Sequence, residues 1–236
     1  MRADPLRRWA ALAGLLLAMA GAPAAAGLPE IQAWETENGA RVLYVHAPEI
    51  PIVDVELVFN AAAARDGELP GLARMVSGLL LEGAGGLDAD AIAARFDALG
   101  AEYGASSLRD MASVSLRALA EEAILDEAVD LLATVVARPD FPPAATERVR
   151  AQMQVSLESL RQRPGGIASL TFFEALYPGH PYGQSPYGTE ASLAAIGRDD
   201  LRAFHQRYYV ARNAVVVIVG DVTREAAEAL AARVTR

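Results

Sequence analysis

Two hydrophobic periods alternate along this chain, and the alternation limits its fold more than any single motif. From Ile52 to Phe59 every second residue is apolar. Val53, Val55, Leu57 and Phe59 share one side of an extended segment, with Asp54 and Glu56 on the other. From Leu72 the repeat lengthens, and Leu72, Met75, Val76, Leu79 and Leu80 fall on one stripe of a helix. Both periods return. Asn38-Gly39 predicts a hairpin turn before a strand over 41–46, and two further strands are expected over 102–107 and 111–119. Asp88 is placed to cap a helix carrying Ile92, Phe96 and Leu99, and a longer helix over 121–137 stops at Arg138-Pro139. Pro142-Pro143 opens the next, to about 162, and another carries Leu170, Phe173 and Leu176. Residues 177–189 read as a loop, with a short helix near 198–208 after it. Ala214 to Val219 is a continuous apolar run expected to be a central strand buried on both faces, and Thr223 caps a last helix. The interleaving excludes all-helical and all-β folds. The paired strands favour α+β, with helices packed on a mixed, largely antiparallel sheet, over a purely parallel arrangement.

Composition excludes several kinds of chemistry. The 236 residues contain no Cys, so disulfides, thiolate metal sites and thiol nucleophiles are ruled out. Every basic residue is Arg, so a Schiff-base lysine is ruled out as well. A formal charge of -9 argues against nucleic acid as a partner. Arg2, Arg7 and Arg8 precede a short apolar run ending at Gly21, Pro23 and three Ala, the layout of a secretory signal over residues 1–26. That run is short for a membrane span, so no stable membrane insertion is expected. The body, 27–236, is then an acidic domain released into the periplasm or secreted.

On the helix from Leu72, the positions between the apolar residues are Arg74, Ser77, Gly78 and Leu81, spaced to project together. The run Gly71-Leu72-Ala73-Arg74-Met75-Val76-Ser77-Gly78-Leu79-Leu80-Leu81-Glu82-Gly83 resembles the metal-binding segment of the pitrilysin/insulinase-type zinc peptidases, the inverzincins. There the segment reads G-L-A-H-x-x-E-H, two His binding zinc and the Glu activating water. Further pieces keep the family's order, among them Phe96 to Ala101, Glu147-Arg148, His180 to Gly183, Gly188-Thr189-Glu190 and Val219-Gly220-Asp221. The resemblance therefore covers nearly all of 27–236.

The catalytic letters are missing. By the resemblance, Arg74 and Gly78 stand at the two His positions and Ser77 at the Glu position. Counting from Glu147-Arg148, Gln154 stands at the third ligand, and the register predicts that Arg74 and Gln154 meet. Zinc needs imidazole or carboxylate donors. A guanidinium has no lone pair to offer and stays charged. At about 4 Å and an effective dielectric near 20 it repels a divalent ion by roughly 8 kcal/mol. No catalytic, cofactor or metal residue is therefore expected, and zinc is expected only in a catalytic partner. His46, His180 and His205 lack the paired spacing of a second metal centre. Gly78, within a helix, is expected to serve close packing against a neighbour. Arg74 reads either as a solvated or salt-bridged side chain or as a cation holding carboxylates left in a former metal pocket.

The family is built from paired lobes that enclose peptides as strands along a sheet edge. The resemblance implies one such lobe, the first, with the second absent and the chain truncated. Members lacking the motif act as non-catalytic subunits beside an intact peptidase and donate substrate-binding Arg and Tyr from the second lobe. The function implied is an exported, catalytically inactive subunit of a heteromeric zinc peptidase, sharing its peptide substrate. Two alternatives stand beside it: a scaffold or assembly subunit without a link to proteolysis, and a weak peptidase with unrecognised ligands.

Overall fold

The first strand pair forms where the Asn38-Gly39 turn dictates. β1 (Gln32–Glu35) and β2 (Arg41–His46) are antiparallel, with Gln32 opposite Tyr44 and Glu35 opposite Arg41. Gly39 takes a positive φ of 87° in the turn, where a side chain would be strained. The computed structural model describes residues 29–236, so the segment expected to be a signal lies outside the described residues. Residues Ile31–Arg236 form one unit.

β3 (Ile52–Phe59) does not pair with β2, its neighbour in sequence. The last strand, β8 (Ala214–Gly220), lies between them, parallel to β2 and antiparallel to β3. Gly220 makes this insertion possible. Its φ is 147°, and a Cβ there would sit 2.2 Å from the carbonyl oxygen of Ile52. Beyond β3 follow β7 (Ala112–Leu119) and β6 (Glu102–Ser107), both antiparallel to their neighbours. The six-stranded sheet thus runs β1-β2-β8-β3-β7-β6, with β6 at one edge. A two-stranded ribbon, β4 (Gly83–Ala84) with β5 (Leu87–Asp88), spans the Gly-rich stretch over 83–88.

The helices are α1 (Leu72–Leu79), α2 (Ala89–Ala98), α3 (Glu122–Ala137), α4 (Pro143–Arg161), α5 (Pro164–Leu176), α6 (Glu190–Ala195), α7 (Arg198–Tyr208) and α8 (Arg224–Val234). Asp88 and Thr223 cap α2 and α8 through their side chains, as expected, accepting from Ala91 and Ala226 N–H. α6 was not foreseen. Its six residues are too few to show a period, although Thr189 and Ser192 form a capping box at its start.

One face of the sheet carries the core. Val42, Tyr44, Val53, Val55, Leu57, Phe59, Val114, Leu116, Val216 and Ile218 are buried in one cluster with the inward sides of α1, α2, α3, α7 and α8. The expectation of two buried faces for β8 fails. Val215, Val217 and Val219 are only half-buried, on the same side of the sheet as the Asp54–Arg117 ion pair at 2.7 Å. The sequence run is apolar on both faces, but among the described residues no helix covers the second. No described helix is long and apolar enough to cross a membrane.

Candidate functional site

The site predicted from sequence begins at the start of α1. Asp66 is buried and accepts from the backbone N–H groups of Gly71 and Ala73, both at 2.7 Å. It satisfies donors that a helix start leaves unpaired and sets a carboxylate at the positive end of the helix. Burial pushes its carboxyl up to about 6, against the pull of the two N–H bonds. Sequence reading missed this residue. The signal was there, an acidic side chain a few residues ahead of a Gly-Leu helix start.

Leu72, Ala73, Met75, Val76 and Leu79 are buried beneath α1, leaving Arg74 and Gly78 exposed. Ser77 departs from the expected outward stripe, being buried at the margin. Its side chain lies near enough to Tyr209 Oη to oppose the upward push of burial on that hydroxyl. The contact falls outside hydrogen-bonding geometry, so Tyr209 Oη is left without a partner. Leu81 packs against the core.

Arg74, Ser77 and Gly78 line a recess of about 420 Å³, with Ala105, Ser106 and Ser107 of β6 on one side. Val149, Gln152, Met153 and Ser156 of α4 form the other side. Gln154 is not among the lining residues and is exposed, so the predicted meeting of Arg74 and Gln154 is corrected. At 100° per residue, Gln152 and Gln154 are about 200° apart around the helix, so only one of them can face α1. The amide that faces it is Gln152.

Gly78 is not imposed by packing either. A Cβ there would lie 3.6 Å from Val149 Cγ1, an ordinary van der Waals distance. Arg74 enters no ion pair among the described residues, and its Cζ lies 4.7 Å from the centre of the Tyr187 ring. Arg74 is therefore the solvated side chain of the first reading, and the second does not hold, since it pairs with no carboxylate among the described residues. Glu82, the recess's one carboxylate, is paired with Arg148.

This donor set does not fit zinc. A guanidinium, hydroxyls, an amide and a thioether line the recess, without imidazole and with one engaged carboxylate. Among the described residues no three His, Cys, Asp or Glu come together closely enough to hold a metal. The three His serve local structure. His46 Nδ1 lies 2.9 Å from the carbonyl of Val222, and His180 Nδ1 accepts from Tyr182 N–H. His205 Nε2 meets the carbonyl of Val136 at 2.7 Å, and burial lowers its pKa.

Comparison with known proteins supplies the context of this face. Residues 41–190 match the model of the insulinase peptidases, family M16. The chain belongs to that family. Residues 195–235 match a second model, the M16 peptidase inactive domain. An uncharacterized zinc protease of Mycobacterium leprae is 29% identical over 197 residues, which are 82% of this chain and 43% of that protein. A Helicobacter pylori protein named as a non-peptidase homolog is 26% identical over 182 residues, 77% of this chain and 42% of its own length. Among solved structures, an M16 peptidase inactive domain from Pseudomonas fluorescens superposes with a TM-score of 0.86 at 41% identity, covering 87% of this chain and 50% of that one. The chain thus spans about half the length of the M16 relatives it matches. The α+β sheet fold expected from sequence is the M16 fold.

Proposed function

We propose that this chain is an exported, catalytically inactive member of its family, which pairs with a zinc peptidase of the same family and helps hold the peptide substrate. The observation that carries this reading is the recess on α1. Where the family resemblance places two His and a Glu, a guanidinium, a glycine and a buried hydroxyl stand, and α4 contributes an amide. Neither zinc binding nor activation of water has donors there.

What remains suits binding. β6 is an edge strand whose outer backbone groups have no strand neighbour among the described residues, and its residues 105–107 border the recess. An extended peptide can add to such an edge through main-chain hydrogen bonds. The pairing is supported by exposed apolar side chains on α4 and α5: Val155 at 70%, Ile167 at 50%, Phe172 at 59% and Leu176 at 54%. No residue of α5 is buried, although most of its side chains are apolar. A surface of that kind favours association with another protein.

The test is zinc content of the purified chain, together with pull-down from the exported fraction of its native cell. Expected is a metal-free chain that brings down a zinc-containing, peptide-cleaving partner. Stoichiometric zinc on the isolated chain would overturn the ligand argument. A metal-free chain without a peptidase partner would leave a scaffold lobe as the better account.

A further inference from the structure

Past Ser107 and Leu108 the recess on α1 adjoins a second cavity of about 430 Å³, walled by the end of β6, by α4 and α5, and by residues 183–187; Arg74 lines both. Two guanidinium groups line this cavity and no carboxylate does. Arg74 rests against Tyr187. Arg109 lies over Phe173, with Cζ 4.0 Å from the ring centre, and its Nη1 donates to the carbonyls of Tyr182 and Gln184 at 2.6 and 3.3 Å. Those bonds leave Nε and Nη2 of Arg109, and every N–H of the Arg74 guanidinium, without a partner among the described residues. Ser107, on the same wall, has a hydroxyl shielded from solvent that makes no hydrogen bond.

Among the described residues Arg117, Arg148, Arg150, Arg161, Arg224 and Arg233 each hold at least one carboxylate, whereas the remaining Arg, Arg74 and Arg109 among them, hold none. What distinguishes Arg74 and Arg109 is that both line one cavity, each with its Cζ over an aromatic ring. A guanidinium with unengaged N–H groups offers a fork that suits a planar, two-oxygen acceptor. Apolar walls from Leu160, Leu170 and Phe173 lower the local dielectric and strengthen such a contact.

We infer that this cavity receives a carboxylate of the bound peptide, from an acidic side chain or the peptide's C-terminus. The inference rests on the reading of β6 as a peptide-binding edge and adds the chemistry that the site selects. Arg74 and Arg109 are binding residues in it. The position that abolishes the metal site thus becomes half of an anion site.

The experiment is fluorescence anisotropy of the full chain with three labelled short peptides of one β-forming sequence: central Glu with an amidated end, central Gln with an amidated end, and central Gln with a free end. At least one carboxylate peptide is expected to bind about tenfold more tightly than the amidated Gln peptide, in line with hydrogen bonds to a charged group. Which one does so tells side chain from terminus. Arg74→Gln is expected to remove most of the preference. Arg109→Lys, which keeps the charge but loses the fork, is expected to weaken it. Equal affinity for all three peptides would overturn the carboxylate site and leave the edge-strand reading standing. Absence of binding by any of them would overturn both. A preference untouched by either substitution would place the anion elsewhere and also overturn the proposal.

Discussion

Gly78 and Asp66 show what single residues contribute on α1. Gly78 is exposed within the helix, and the space at its α-carbon accepts a methyl group beside Val149. Gly78→Ala is therefore expected to raise unfolding free energy by up to about 1 kcal/mol, measured by chemical denaturation. A loss of stability would show that the Val149 contact is tighter than its distance implies. Asp66 acts in the opposite sense. Its carboxyl is pushed up to about 6 in the fold, so the unfolded chain ionises first as pH rises. Stability from this group is full at low pH, falls between about pH 4 and 6, and is constant above. Against Asp66→Asn, which is neutral throughout, the wild-type chain should lose up to about 3 kcal/mol across that window. A flat difference in denaturation midpoints would refute the assignment. The face of Arg74 and Gly78 was legible because a helix repeats every 3.6 residues and the apolar side fixes the rest. Gln154 was misplaced because a family register counts residues, whereas a two-residue shift on α4 turns a side chain to the far side.

Among the elements, α5 stands apart. Phe172 and Leu176 are exposed on a helix without a buried residue, so their substitution by Ser should change the stability of the isolated chain by less than about 0.5 kcal/mol. The same pair of substitutions should abolish co-purification of the proposed peptidase partner. A large drop in melting temperature without loss of co-purification would show that α5 serves this chain's own core. α7 offers a pH-dependent contact with α3 through His205 and the Val136 carbonyl. Burial depresses its pKa, so the stabilising neutral form is present above the ordinary value of 6.5 and is lost as pH falls through the depressed one. His205→Gln is expected to flatten that acid limb. Most strands and long helices were readable from their periods. α6 was too short to show one, and β8 misled because its apolar composition says nothing about whether a second layer covers it.

For the molecule as a whole, the class of fold was legible and the strand order was not. Alternating periods announce α+β, but no local pattern says that β8 enters between β2 and β3. That is a long-range choice, fixed by the close approach of Gly220 to Ile52 and by hydrogen bonds from Ala47 to Gly220 and from Asp221 to Ile52. A chain ending at Asn213 is expected to show no cooperative thermal transition, since β2 and β3 would each face an empty lane. A sharp transition near that of the full chain would contradict this. The order in which the residues are made gives the lane a further meaning. Synthesis reaches the keystone of the sheet only after nearly everything that must rest against it. Until then β1-β2 and β3-β7-β6 are two separate ribbons, without the strand that joins them into one sheet.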